Sequence, residues 1–528
     1  MNKDTSPCNE ERRKRSMVAI VSVAIAFMFV LSIPFLIGGN DNNDNFNGII
    51  LGADASVVIS SDDSIDDIKT AIQTELNDSG VTTVTVTGSK TGGDGEIVLI
   101  IPDGKTVIWN ADIDSECAVC IGGEGSFTAS ECSLSLIAIY SNGIGDTDIM
   151  IDCDVIILPS SGDWKSGIIS PSTATLTFNK GLVSTETGRL FAGSGNVFVN
   201  GDVTFPGNVS YIETAGDGNV EITGNVTLGG NSSHIDTRGF STATVNGDVL
   251  FTGDNSPRIK AYDHSIIDIS GSLTFEGPEA FLCADGGTVD IGDIVTFERE
   301  GSSIASFGAM FLRGGVTFDG DGYMEAGNGG EITIDGDVTA LSLPDNSIEA
   351  QLMVLGDAGE ITVNGDVTTS GILAWLNYGT VIINGNAAST SEKAGVMFNT
   401  GGGSVTIEGT FTANAENYVL FWDYLEVDNL PVAKSDGVLN GEYYEWDGKD
   451  IVGGADPTVL RVNASYFDDG TGDGGEDGTG DGDGNDGISR TILIIIVIII
   501  LAVIIGLLFF FLFWKKREEE EEEGKEQQ

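Results

Sequence analysis

Apolar and polar residues alternate along this chain in a ten-residue phrase that keeps returning. It reads NVFVNGDVTF at 196–205, NVEITGNVTL at 219–228, TATVNGDVLF at 242–251, EITIDGDVTA at 331–340 and EITVNGDVTT at 360–369. Looser copies begin at 148, 175, 266, 288, 309, 380 and 404. Most successive starts are 20 to 24 residues apart, with longer gaps of 27 and 29. Read as a hairpin turning at Asn200-Gly201, the phrase would set Val199 beside Asp202 and mix apolar with polar partners on one face. Read as one strand bent at Gly201, it points Val197, Val199, Val203 and Phe205 the same way. In TATVNGDVLF the same reading sends Ala243, Val245, Val249 and Phe251 inward. The glycine is a corner and not a reversal.

A unit this short cannot bury its apolar stripe alone. Stacked in parallel on its own copies at about 4.8 Å per layer, it builds one continuous core. The pattern predicts an all-β fold, a right-handed parallel β-helix of roughly 13–14 coils, ~65 Å long at that spacing. A propeller blade takes about 40–45 residues, twice this period. The 73 Gly and 11 Pro fit a solenoid of short strands and many corners.

Both ends of the repeats carry caps in this reading. The N-terminal cap spans 61–95. Within it, SIDDIKTAIQTEL at 64–76 puts Ile65, Ile68, Ala71, Ile72 and Leu76 on one helical stripe, and Ser64 with Asp67 forms a capping box. Repeats follow over 96–413. An aromatic C-terminal module at 414–467 covers the last coil.

Apolar segments flank the body. Residues 17–37 follow Arg12, Arg13, Lys14 and Arg15 and read as a signal anchor, with a cleaved signal peptide as the alternative. Residues 38–60 are a linker. The stretch 491–513 has no charge and lies in a transmembrane helix at 488–514, ahead of Lys515, Lys516 and Arg517. Residues 1–16 and the acidic tail 515–528 are then cytoplasmic, and 40–487 extracellular. This places the protein at the cell membrane with two flanking transmembrane helices and both termini inside, unless the first segment is cleaved. Residues 468–487, DDGTGDGGEDGTGDGDGNDG, read as an extended acidic linker and lack the EF-hand spacing of Gly and Glu.

The formal net charge of −55 excludes nucleic acid as a partner. Asp202, Asp248, Asp293, Asp337 and Asp366 share one place in the repeat, just after the corner. Turn chemistry accounts for them. The same column is also the candidate cation ladder, with calcium as the one cofactor worth testing. Asn77, Asn208, Asn225, Asn231 and Asn463 stand in N-glycosylation sequons. Cys132 and Cys153 are one coil apart and form a candidate disulfide, while Cys117-Ala-Val-Cys120 lacks the second pair a zinc site needs.

His234 and His264, near Arg238, Arg258 and Lys260, mark the one place where basic groups gather. With Trp164, these two histidines are the candidate binding residues. No catalytic set is assigned, and the sequence weighs against an enzyme. One criterion separates the two classes. An enzyme concentrates carboxylates with Arg, Lys or His in one groove, whereas an adhesin spreads aromatics and hydroxyls along a face.

The NGDVT phrase, the IPDGKTV opening of the first coil and the acidic Gly-rich stalk resemble adhesin-like surface proteins with pectin-lyase-like β-helices, of archaeal or bacterial kind. The resemblance covers about 96–467 and implies surface display, with attachment to glycans or envelope proteins. It carries over no binding residue. No LPxTG-like sorting sequence precedes the final apolar stretch. The sequence thus leads to a membrane-anchored β-helix, adhesin-like or structural. A surface polysaccharide lyase or glycoside hydrolase is the alternative.

Overall fold

The structure, a computed structural model, describes residues 53–466 apart from 142, 144, 160–166, 341–349, 356–358, 393, 400–402, 423–428, 434–435 and 448–457. The chain winds as a parallel β-solenoid with three short strands in each regular coil. One coil uses Arg189–Ala192, Asn196–Val199 and Val203–Phe205, and the next uses Tyr211–Thr214, Asn219–Ile222 and Val226–Leu228. Each strand pairs in parallel and in register with its counterpart one coil on. Three sheets result, and the architecture is consistent with pectin-lyase-like and adhesin-like β-helices.

The corner falls where the pattern places it. Strands 196–199 and 203–205 flank Gly201, and Val197, Val199, Val203 and Phe205 are all fully buried. Gly201 answers a need for space. A Cβ there would lie 2.6 Å from the backbone nitrogen of Gly181 in the preceding coil. Like residues stack on like because the register never slips between regular coils. Phe251, Phe275, Phe297 and Phe318 form one interior column with ring centroids 4.9, 5.1 and 4.8 Å apart. Each such ring contributes about 1.5–3 kcal/mol by leaving water.

The corner carboxylates knit coils together. Asp202 Oδ1 accepts the backbone N–H of Asn225 at 2.7 Å, Asn225 Oδ1 that of Asp248 at 2.9 Å, and Asp248 Oδ1 that of Ser272 at 2.8 Å. Asp337 and Asp366 serve Asp366 and Asn386 in the same way, at 2.8 and 2.7 Å. Asp293 departs from the pattern and accepts the Ser272 hydroxyl at 3.2 Å. One acceptor oxygen per coil suffices for this task, and Asn supplies it as well as Asp.

At the start, Ile65–Asn77 is a helix with Ser64 and Asp67 closing a capping box. It buries Ile65, Ile68, Ile72 and Leu76, whereas Ala71 lies on the exposed side. Its Gln73 donates to Ile100 O and accepts from Ile100 N–H, both at 3.0 Å, so a side-chain amide stands in for the missing neighbouring strand. Ala53–Ile59, read as linker from the sequence, is a strand paired with Val81–Ile101. At the far end the pairing turns antiparallel. Asn429–Ala433 joins Asn417–Trp422, and Tyr443–Asp447 joins Thr458–Asn463.

The expectation of two transmembrane helices flanking the solenoid is corrected. Among the described residues no helix is long and apolar enough to cross a membrane, and the apolar segments 17–37 and 488–514 lie outside the described residues. The membrane localisation, the cytoplasmic termini and the membrane as partner rested on those segments and are not carried forward.

Two outcomes test this packing. Asp248→Ala is expected to cost about 0.5–1.5 kcal/mol and to speed amide exchange at Ser272, while Asp248→Asn stays within about 0.5 kcal/mol of the parent. Equal losses in both variants would refute the ladder. The Cys132 and Cys153 sulfurs lie 2.7 Å apart, so peptide mapping after mild oxidation is expected to recover a Cys132–Cys153 cross-link. Recovery of both cysteines as unlinked peptides would count against the pair.

Candidate active site

Three consecutive coils of one sheet bring polar groups together. Tyr211 pairs with His234 and His234 with Arg258, while one pleat on Glu213 pairs with Asp236 and Asp236 with Lys260. Ile212, Ile235, Ile259 and Ala261 of these strands fill the core. Strand alternation therefore turns Tyr211, Glu213, His234, Asp236, Arg258 and Lys260 to the outer face. Arg189 stands in register with Tyr211 one coil before. Cys283 stands in register with Lys260 one coil after.

Asp236 is the anchor. It is only 1% exposed, yet it sits on the outer face because the neighbouring coils' side chains close over it. Arg258 grips it with two prongs, Nε to Oδ1 at 3.3 Å and Nη2 to Oδ2 at 2.8 Å, and an Arg238 nitrogen lies 3.7 Å from Oδ2. A buried carboxylate needs such pairing to stay charged.

His234 lies flat on Tyr211, with centroids 5.0 Å apart and planes 4° from parallel. Its Nδ1 is 3.1 Å from Ser232 O, and its Nε2 is 3.4 Å from Glu213 Oε1. The second contact is too long for a strong hydrogen bond, which makes Nε2 the ring atom open to exchange. Arg189 lies over the rings of Phe191 and Tyr211, with a nitrogen 3.9 Å from Glu213. Lys260 reaches Asp285 at 2.9 Å and sits 4.2 Å above the Tyr262 ring.

These contacts set the charges. The bond to His234 holds the Glu213 carboxyl below its ordinary value, against burial, with the charges of His234, Arg189 and Arg238 adding to the effect. The Asp236 bond raises Arg258 further above its already high value. Burial pulls Lys260 down, but its bond to Asp285 and nearby negative groups leave it raised overall. Burial also raises the Tyr211 phenol and pushes the Cys283 thiol up to about 12, so Cys283 is no thiolate nucleophile. The face presents firm cations, the Glu213 carboxyl held below its ordinary value, the Asp236 carboxylate gripped by Arg258, and one imidazole.

One ligand atom each from Glu213, His234 and Asp236 lie within 4.8 Å of one another, so the cluster can coordinate a metal ion. Calcium gathers about 6–8 oxygens, and here it would complete its shell from water or substrate. A groove of about 580 Å³ elsewhere, lined by Asp254, Glu276, Glu298, Arg299, Glu300 and Asp321 among others, holds carboxylates with a single cation and no histidine. The histidine and its paired carboxylates lie on the strand face and not in that groove.

The sequence candidates separate in space. His234 belongs to the cluster. His264 does not; it is exposed and stacks on Phe240 at 5.4 Å. Trp164 lies outside the described residues. Asp202, Asp248, Asp337 and Asp366 stand in the corner ladder, away from His234. Asn77, Asn208, Asn225 and Asn231 are exposed, while Asn463 is half-buried and donates to Glu408 at 3.2 Å. Glu213, Asp236, Arg189 and Tyr211 were not singled out from sequence. Their signal was the shared register of YIET, HIDT and RIKAY, visible only once the corners are aligned.

Two readings are corrected here. A chain weighed against enzymes carries buried His234 and Asp236 beside half-buried Glu213, ringed by cations. Carboxylates gathered with Arg, Lys and His on one face answer to the enzyme criterion in their chemistry, although they stand on an open strand face and not in a groove. No family model, curated protein or solved structure matches the chain.

The Glu213 pairing makes a pH prediction. Its carboxyl is held below the unfolded-state value of about 4.3, so the pairing stabilises the fold above that pH and is lost as pH falls through the lower folded value. Glu213→Gln is expected to flatten the acid loss of stability below about pH 4.3, read from unfolding midpoints across an acid series. An unchanged slope would show that Glu213 and His234 are not coupled.

Proposed function

We propose that this solenoid acts on acidic polysaccharides, cleaving uronate-containing chains by β-elimination on the face around His234. The observation that carries the reading is the concentration of Arg189, Arg258 and Lys260 around Glu213, His234 and Asp236 in a chain of net charge −55. Hydrolysis would need a protonated carboxylic acid to serve the leaving oxygen. Glu213 is held ionised, and Asp236 is gripped by a guanidinium. Elimination asks instead for what this face has. Cations neutralise the uronate carboxylate, which acidifies the adjacent C5–H and stabilises the enolate that forms.

The roles follow from position. Arg258 and Lys260 take the substrate carboxylate, with Arg189 at the far side of Tyr211. In the neutral ring that keeps its proton on Nδ1 toward Ser232 O, His234 Nε2 leaves Glu213 and takes the C5 proton, and Glu213 then steadies the imidazolium. The C5 electron pair forms the C4=C5 bond, the C4–O4 bond breaks, and the leaving oxygen gains a proton, which Tyr211 or water supplies. A cation held by Glu213, His234 and Asp236 would supply Lewis-acid neutralisation of the substrate carboxylate but would occupy the imidazole nitrogen that the proton transfer uses, so the metal and His234 as base are alternatives. Binding of the metal requires Arg258 to release one Asp236 oxygen.

The test is turnover of polygalacturonate and alginate by the full chain, with and without added calcium. Products with the ultraviolet absorbance of a C4=C5 double bond conjugated to the carboxylate are expected. His234→Ala should slow the reaction about 10²–10⁴-fold, and Arg258→Lys should chiefly raise KM, since it keeps a partner for Asp236. New reducing ends without ultraviolet absorbance would convert the reading to hydrolysis. No cleavage of either polymer would overturn it.

A further inference from the structure

The track of outward groups does not stop at the cluster. Along one coil, His234, Asp236, Arg238 and Phe240 follow one another at every second residue, and along the next coil Arg258, Lys260, Tyr262 and His264 do the same. The rungs between the two rows continue past the strands. The Arg238 guanidinium lies 5.0 Å over the Tyr262 ring, and Phe240 stacks on His264 with planes 24° apart. The turn between is tight, with Gly239 and Asp263 at φ values of 79° and 53°. It carries both rows around the corner together.

Phe240 is 74% exposed, the highest value among the large apolar side chains left in water by the described residues. Its stacking partner is exposed as well. Nothing in the packing of the solenoid calls for this pair. Both rings stand outside the corner, and the inward positions next to them are taken by buried Ser241 and Ser265. A flat apolar surface beside a guanidinium suits a ligand that has both an apolar face and a carboxylate. A pyranose ring of a uronate has both, its C–H face against the aromatic ring and its carboxylate toward Arg238.

We propose that Phe240 and His264 form a sugar-stacking subsite that holds a uronate oligosaccharide beside the reacting face, with Arg238 pairing its carboxylate. This rests on the polysaccharide reading and extends it. Four residues with the turn at Gly239 among them separate Phe240 from Asp236, a span of at most about 13 Å. The platform therefore holds a saccharide unit next to the reacting one and sets a preference for longer chains. Phe240 is a binding residue and takes no part in proton transfer.

Phe240→Ala and Phe240→Trp in the full chain test this, with oligogalacturonates and oligoalginates of increasing length as probes. Phe240 is exposed, so both variants should keep the parent's circular dichroism. The expected result for Phe240→Ala is about tenfold weaker binding and higher KM for long oligomers, with kcat unchanged and no change for the shortest substrate. The Phe240→Trp protein should show quenched fluorescence on binding, and His264→Ala should weaken that response. Parent-like affinity of Phe240→Ala for an oligomer that the parent binds would overturn the platform and leave the elimination reading in place. Quenching of Phe240→Trp without any turnover would uphold the platform and overturn elimination. Absence of both binding and quenching with every oligomer would overturn both.

Discussion

In-register parallel stacking governs this molecule. Every residue in a regular coil sits beside its counterpart one coil on, so a choice made once is repeated as a column. Phe251, Phe275, Phe297 and Phe318 show the consequence in the core, where rings stack face over face at about the spacing of the sheet. The corner acceptors show it at the surface. An oxygen after the glycine meets the next coil's N–H, and the coils are bound at a place where no strand reaches.

The same rule makes an active face costly to build. Like charges in adjacent coils repel, and stacked identical carboxylates would have nothing to relieve them. On the face around His234 the stacked side chains differ from coil to coil, and the one like-charged step, Glu213 to Asp236, has Arg189 and Arg258 beside it. Glu213, Asp236 and Lys260 follow one another, and beside them run Tyr211, His234 and Arg258. Arg258 and Arg238 give Asp236 its partners while it is almost wholly out of water. The repeat has been broken in composition while kept in register. A solenoid wall becomes a site by that means, since backbone geometry is already fixed and only side chains need to differ.

How far the sequence reached follows from the same distinction. The core was legible because inward positions repeat, and Val197, Val199, Val203 and Phe205 all point inward as their parity requires. The capping helix was legible through Ser64, Asp67 and its stripe, apart from Ala71. Ala53–Ile59 was missed because only Val57 and Ile59 are buried in it, too weak an alternation to mark a strand. The site was half legible. His234, Arg238, Arg258 and Lys260 stood out because basic groups are scarce, but Glu213 and Asp236 are two among 80 acidic residues. A carboxylate gains meaning only from its neighbour in the next coil, and that neighbour is 23 or so residues away along the chain. His264 looked equivalent to His234 by distance in sequence. It lies beyond the corner, so its partner is Phe240 instead of a carboxylate.

The global charge then bears on what the face can accept. A chain at −55 repels a polyanion at long range, yet at physiological salt the Debye length is about 8 Å. Beyond that distance the approaching polymer feels little of the acidic body. Within it, the nearest groups decide, and on this face those include Arg189, Arg238, Arg258 and Lys260. The local cations need not neutralise the protein; they need only dominate one screening length. Three of these four side chains also lie over an aromatic ring, which holds them in place without consuming their positive charge. Under the proposed elimination, a polyanionic substrate would be admitted at this face, where cations lie within one screening length, and discouraged where acidic groups alone are near.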